Sequence, residues 1–140
     1  MSPRAGRAGH ARHTVLVVDD VAETRDAIVT LLLTKGFDAV GAASGLVALE
    51  LFTAGLRPCV VLLDVRMPEM DGWELWERMR ADEELARIAV VILTAETADH
   101  ARAEAAGIRE LLRKPVDGRA LVEVVDRHCD RRHVSDRTIF

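Results

Sequence analysis

Val60-Val61-Leu62-Leu63-Asp64-Val65-Arg66-Met67-Pro68-Glu69-Met70-Asp71-Gly72 decides how the remainder of the chain is read. Its first four residues are apolar without alternation, the mark of a strand covered on both faces. The run stops on a carboxylate. Pro68 cannot continue a hydrogen-bonded ladder and pushes Met67 toward extended backbone, so a turn begins within a few residues of Asp64. Asp71-Gly72 then leads into Trp73, Leu75, Trp76 and Met79, spaced as on a helix. An acid at the carboxyl end of a buried strand stands where open α/β sheets place their chemistry. Taken alone, Asp64 serves equally well as a residue that merely starts a turn.

Outward from this stretch the same pattern repeats. Thr14-Val15-Leu16-Val17-Val18 is a second apolar run ending on acid, Asp19-Asp20. Over 22–35, Ala27, Ile28, Leu31 and Leu32 recur at helical spacing, and Gly36 stops the helix. Residues 37–42 form a less apolar strand, suited to an edge. Ser44 caps a helix carrying Val47, Ala48, Leu51 and Phe52, which Gly55 ends. Residues 82–87 are a charged connection, and 88–93 a third buried strand ending at Thr94. An alanine-rich, weakly amphipathic helix over 95–106 stops at Gly107. Residues 110–113 form a short fifth strand ending at Lys114-Pro115, and Asp117 caps a last helix packed through Leu121, Val124 and Val125.

Strands alternating with helices over short connections predict a doubly wound α/β domain with a parallel sheet. Right-handed crossovers then line up the strands' carboxyl ends on one rim. Asp19, Asp20, Asp64, Thr94 and Lys114 all fall there.

Composition narrows the class. A chain of 140 residues, 49% hydrophobic and 30% charged, suits one domain with one core at 13–130, between an arm at 1–12 and a tail at 131–140. A net charge of -4 predicts neither a nucleic-acid stripe nor a membrane patch. The apolar runs are too short to span a bilayer, and the first residues are no secretion signal. Cys59 reads as the start of the buried strand and, with Cys129, makes no disulfide framework, so a reducing cytoplasm is expected. The five histidines share no metal-ligand spacing with cysteine and read as solvated or packing residues. Trp73 and Trp76 read as packing residues of one helix face. Of the 19 basic residues only Lys35 and Lys114 are lysine.

Crowded carboxylates repel one another by roughly 4 kcal/mol per pair at about 4 Å in a medium of effective dielectric ~20. Such a cluster calls for a cation, and oxygen-only ligands suit Mg²⁺. The Thr94 hydroxyl and the Lys114 ammonium complete a phosphoryl site, and a carboxylate that attacks phosphorus forms an acyl phosphate. Asp64, alone on the central strand, is the best nucleophile candidate, with Asp19 and Asp20 placed for the metal.

The pattern Asp19-Asp20, Asp64, Thr94 and Lys114-Pro115, with Met67-Pro68-Glu69-Met70-Asp71-Gly72 after the acid, resembles the receiver domain of two-component response regulators, the CheY-like chemotaxis type. The resemblance covers about residues 13–130. It implies a flavodoxin-like (βα)5 fold with sheet order 2-1-3-4-5 and phosphorylation of Asp64 by a sensor histidine kinase or phosphotransfer protein. It also implies Mg²⁺ held by Asp20, Asp64 and the backbone carbonyl of Arg66, with Asp19 assisting through water. Thr94 and Lys114 would contact the phosphoryl group, and Lys114-Pro115 would be cis. With no output domain visible, a stand-alone receiver is expected. It would act by protein contact through its last two helices and fifth strand, with only self-phosphorylation and self-dephosphorylation chemistry.

The chain departs from that family in one place. The tyrosine or phenylalanine usual three residues before the lysine is Leu111, and the chain has no tyrosine. Arg66 and Glu96, positions that tend to tune phosphoryl lifetime, leave two readings open: a contact over the pocket, or two solvated charges. Rival functions stand beside the receiver. An aspartyl-nucleophile phosphatase resembling the haloacid dehalogenases would want a second acid where Arg66 is. A flavin-binding flavodoxin would want hydroxyls where Asp19-Asp20 repels phosphate. A receiver-fold interaction module working without phosphorylation would normally have lost an acid or the lysine.

Overall fold

The computed structural model describes residues 14–108 and 110–130. The expected arm and tail, with His10, His13 and His133, lie outside the described residues. Five strands form one parallel sheet: β1 (Thr14–Val18), β2 (Asp38–Ala42), β3 (Val60–Asp64), β4 (Ala89–Thr94) and β5 (Leu111–Arg113), in the order β2-β1-β3-β4-β5. The α-helices among the described residues are α1 (Ala22–Thr34), α2 (Gly45–Thr53), α3 (Gly72–Arg80), α4 (Thr97–Ala106) and α5 (Gly118–His128). This is the expected flavodoxin-like topology, with the 37–42 segment at the sheet edge.

Both faces of the sheet are covered, which is why its strands need no polar alternation. Leu16, Val18, Val61, Leu63 and Ile92 point to one side and meet Ala48 and Phe52 of α2, Trp73, Leu75, Trp76 and Met79 of α3, and Ala103 of α4. Val15, Val17, Val60, Leu62, Val91 and Leu93 point to the other and meet Ile28 and Leu32 of α1 and Leu121, Val124 and Val125 of α5. Trp73 and Trp76 are thus core residues as expected, each also covered by a guanidinium, Arg102 over Trp73 and Arg80 over Trp76.

The predicted caps Ser44 and Asp117 hold, and Asp71 caps α3 in the same way: each accepts a backbone N–H from the residue three further on. Gly107 ends α4 at φ 86°, a left-handed conformation that costs glycine little. The 82–87 connection is more ordered than expected: a 3-10 turn, Leu85–Arg87, follows the Asp82 carboxylate, which accepts the N–H groups of Glu84 and Leu85.

The cysteines depart from expectation. β3 begins at Val60, and Cys59 just before it is disulfide-bonded to Cys129 across a sequence separation of 70 residues. Parallel βα units return each helix's carboxyl end to the amino-terminal edge of the sheet. There Cys129, the C-cap of α5, reaches the entry of β3, a pairing that linear spacing could not reveal. His128 is likewise more than a packing residue, since its ring contacts the Glu110 carboxylate, which Arg127 also grips at 3.0 Å. No helix among the described residues is long and apolar enough to cross a membrane.

Candidate functional site

The sheet register builds the site. Val18 pairs with Leu63, Asp64 with Leu93, and Thr94 with Arg113, so the strands end within a residue of one another. The chain reverses direction in the sheet beside β1, with β2 on one side and β3 on the other, which opens a crevice at the carboxyl ends of β1 and β3. Asp19, Asp20 and Asp64 meet in it: one carboxylate oxygen from each lies within 4.8 Å of the others.

The three acids differ in surroundings. Asp19 is fully buried, accepts the Val21 N–H at 2.9 Å, and accepts Lys114 Nζ at 3.1 Å. Asp20 is exposed at the rim. Asp64 is buried, accepts the Arg66 N–H at 3.0 Å, and lies 3.4 Å from Lys114 Nζ. Burial pushes the Asp64 carboxyl above its usual range, and repulsion from Asp19 adds to that. The Arg66 N–H and the Lys114 charge oppose the shift without cancelling it. Lys114 is held above the ordinary lysine range, because the charges and hydrogen bonds of Asp64 and Asp19 outweigh its own desolvation. The Lys114 backbone N–H donates to the Thr94 carbonyl at 3.0 Å, which ties the lysine to the end of β4, and the Lys114-Pro115 peptide is cis, as the resemblance implied.

Close backbone packing supports the acid. Gly72 sits so near the end of β3 that a Cβ there would meet the Asp64 carbonyl oxygen and Val65 Cα, both at 2.6 Å. Only glycine opens α3 at this distance.

Thr94 stands at the same edge, buried, but its hydroxyl is engaged elsewhere. Its Oγ1 donates to Asp99 Oδ2 at 2.7 Å and accepts the Glu96 N–H at 3.0 Å. Arg66 also turns to Asp99, through Nε at 2.9 Å and Nη2 at 3.0 Å, so the contact over the pocket that Glu96 was a candidate for goes to Asp99 instead. Asp99 was not legible as a site residue. It lies in a helix whose weak amphipathicity gave no sign that one acid would be 3% exposed. Burial would raise its carboxyl, but hydrogen bonds from Thr94 and Arg66 and the Arg66 charge, with a smaller contribution from the Trp73 indole, hold it below the usual range.

A doubly wound sheet with an acid cluster, a lysine and a hydroxyl at its switch point defines the receiver class of signalling domain. Residues 15–126 match the response regulator receiver domain family, and the chain belongs to it, a receiver domain of two-component signalling. Chemotaxis protein CheY-3 of Vibrio cholerae is 36% identical over 120 residues, 84% of this chain and 92% of that protein. The regulatory protein AtoC of Escherichia coli is 37% identical over 119 residues, 84% of this chain but 25% of AtoC. The crystallised chemotaxis protein CheY4 of Vibrio cholerae superimposes with a TM-score of 0.76 at 29% identity, covering 84% of this chain and 99% of that one. The chain therefore spans nearly all of some relatives and a minor part of others.

Proposed function

We propose that this receiver is a phosphoacceptor: Asp64 takes a phosphoryl group from the phosphohistidine of a sensor kinase or phosphotransfer protein, with Mg²⁺ as cofactor, and the modified chain changes its protein contacts. The observation that carries the reading is Lys114 Nζ, 3.4 Å from Asp64 and 3.1 Å from Asp19, beside a three-carboxylate cluster. One ammonium leaves that cluster with excess negative charge, and its donors are all hard oxygens, which fits a small divalent cation.

In the transfer, an Asp64 carboxylate oxygen forms a bond to phosphorus as the donor's phosphorus–nitrogen bond breaks and its electron pair returns to the imidazole nitrogen. Lys114 neutralises charge on one phosphoryl oxygen, and the Thr94 hydroxyl donates to another. Asp20, Asp64 and the Arg66 backbone carbonyl would hold Mg²⁺, with Asp19 assisting through water; bound there, the ion supplies positive charge to the phosphoryl oxygens. A phosphatase of the haloacid dehalogenase kind is disfavoured, because Arg66 cannot shuttle a proton and its guanidinium is committed to Asp99. The exposed faces of α4, β5 and α5 are the proposed contact surface. The reading assigns the chain to the cytoplasm, where ATP charges a histidine kinase; the Cys59–Cys129 disulfide removes the support the cysteines lent to that expectation, so it rests on the kinase alone.

Incubation with acetyl phosphate and MgCl₂, followed by intact-mass analysis, tests the reading. One added phosphoryl group is expected on the wild type and none on Asp64→Asn. Equal labelling of the variant would move the acceptor elsewhere.

A further inference from the structure

Thr94 and Arg66 face the same difficulty. A threonine hydroxyl has one proton to donate, and here Asp99 accepts it at 2.7 Å. The Arg66 guanidinium follows the acceptor aspartate by two residues, yet its Nε and Nη2 form a fork on the same Asp99 carboxylate. Asp99 therefore holds two of the side-chain donors that, beside Lys114, stand at the edge where a phosphoryl group on Asp64 would need them. It is buried, sits in the first turn of α4, and depends on those donors for its compensation.

We infer that Asp99 is a positioning residue that restrains phosphorylation of Asp64 by keeping the Thr94 hydroxyl and the Arg66 guanidinium away from the incoming phosphoryl group. The inference rests on the phosphoacceptor reading and adds the contact that this reading must break. A phosphoryl dianion competes with Asp99 for both donors. Once it captures them, a carboxylate fixed to α4 loses its partners and the first turn of that helix has to readjust. The readjustment would start at α4 itself, which suits a chain with Leu111 at the position three before Lys114. Trp73, packed beneath Arg102 of α4, lies close enough to Asp99 to report it.

Phosphorylation of the full chain by acetyl phosphate with MgCl₂, followed on phosphate-affinity gels, separates the possibilities. Asp99→Ala should raise the initial labelling rate by about tenfold, the size expected from releasing hydrogen bonds to a charged group. In a Thr94→Ala background the same substitution should gain less than about a third of that, since one of its two captives is already gone. Asp99→Asn, which keeps an acceptor oxygen but no charge, should fall between and serves if Asp99→Ala does not fold by circular dichroism. A wild type labelled on Asp64 with both Asp99 variants labelled no faster overturns the restraint alone. So does a gain that is undiminished without the Thr94 hydroxyl. A wild type with no label on Asp64 overturns the phosphoacceptor reading and the restraint with it.

Discussion

Lys114 donates to the Asp19 carboxylate at 3.1 Å across 95 residues of sequence, and the same ammonium lies 3.4 Å from Asp64. Asp19 is fully buried, so this ammonium is the cation that makes its charge tolerable inside the fold. Lys114→Met should destabilise the chain by about 3 kcal/mol, the cost of leaving a buried carboxylate unpaired. Lys114→Arg should fold nearly normally but label poorly with acetyl phosphate, because a forked guanidinium does not reproduce a point charge between two acids. Urea denaturation and labelling rates check the two separately; a wild-type midpoint for Lys114→Met would show that Asp19 does not need the lysine.

Adding MgCl₂ should raise the melting temperature at neutral pH. Asp64 has its carboxyl raised by burial and by Asp19, so stability is lost as pH rises from 3.8 through that raised value, and at neutral pH the full cost of its ionisation is present. A divalent ion offsets that cost. For a millimolar site at tenfold excess of ion, the gain is about 1.4 kcal/mol. Asp20→Asn, at the exposed rim, should weaken the shift without unfolding the protein. Equal shifts with NaCl of matched ionic strength would mean screening rather than a bound ion.

Gly72→Ala should cost about 3 kcal/mol, because the new Cβ would meet backbone atoms at 2.6 Å that cannot rotate away. The strain falls on Asp64 and Val65, so labelling should drop along with stability. Gly118→Ala, whose nearest neighbour would be the flexible end of Leu31 at 3.3 Å, is the control and should change the midpoint little.

Reduction of Cys59–Cys129 should destabilise the chain. In the chain-entropy picture, closing a loop with a sequence separation of 70 residues stabilises by about 4 kcal/mol, so dithiothreitol should lower the urea midpoint and Cys129→Ser should do so without reductant. Coincident unfolding curves with and without dithiothreitol would exclude a stabilising bond.

Glu110 joins β5 to the end of α5 through Arg127 and His128. Burial would raise its carboxyl, but the hydrogen bonds and charges of those two side chains hold it below its usual 4.5. A depressed folded value means the stabilisation is fully present above 4.5 and is lost as pH falls through that lower folded value. The stability advantage of wild type over Glu110→Gln should therefore shrink on acidification below that point. An advantage that stays constant down to pH ~2 would show that the carboxylate's charge contributes nothing.

The fold and most of the rim were legible in the linear sequence for a local reason. Short apolar runs at 15–18, 60–63 and 88–93, rich in β-branched residues and bounded by turn signals, read as strands covered on both faces. Their acids and hydroxyl, with Lys114, fall at the ends that right-handed crossovers bring together. Asp64 was visible because a strand must stop somewhere and this one stops on charge. What tertiary structure alone decided depends on side chains meeting across the fold. Asp99 becomes a buried acceptor only because Thr94 and Arg66 converge on it, and Cys129 meets Cys59 only because α5 ends beside the entry of β3. Periodicity carries burial direction and crossover rules carry edge placement, but neither carries which donor an acid will find once the chain has closed on itself.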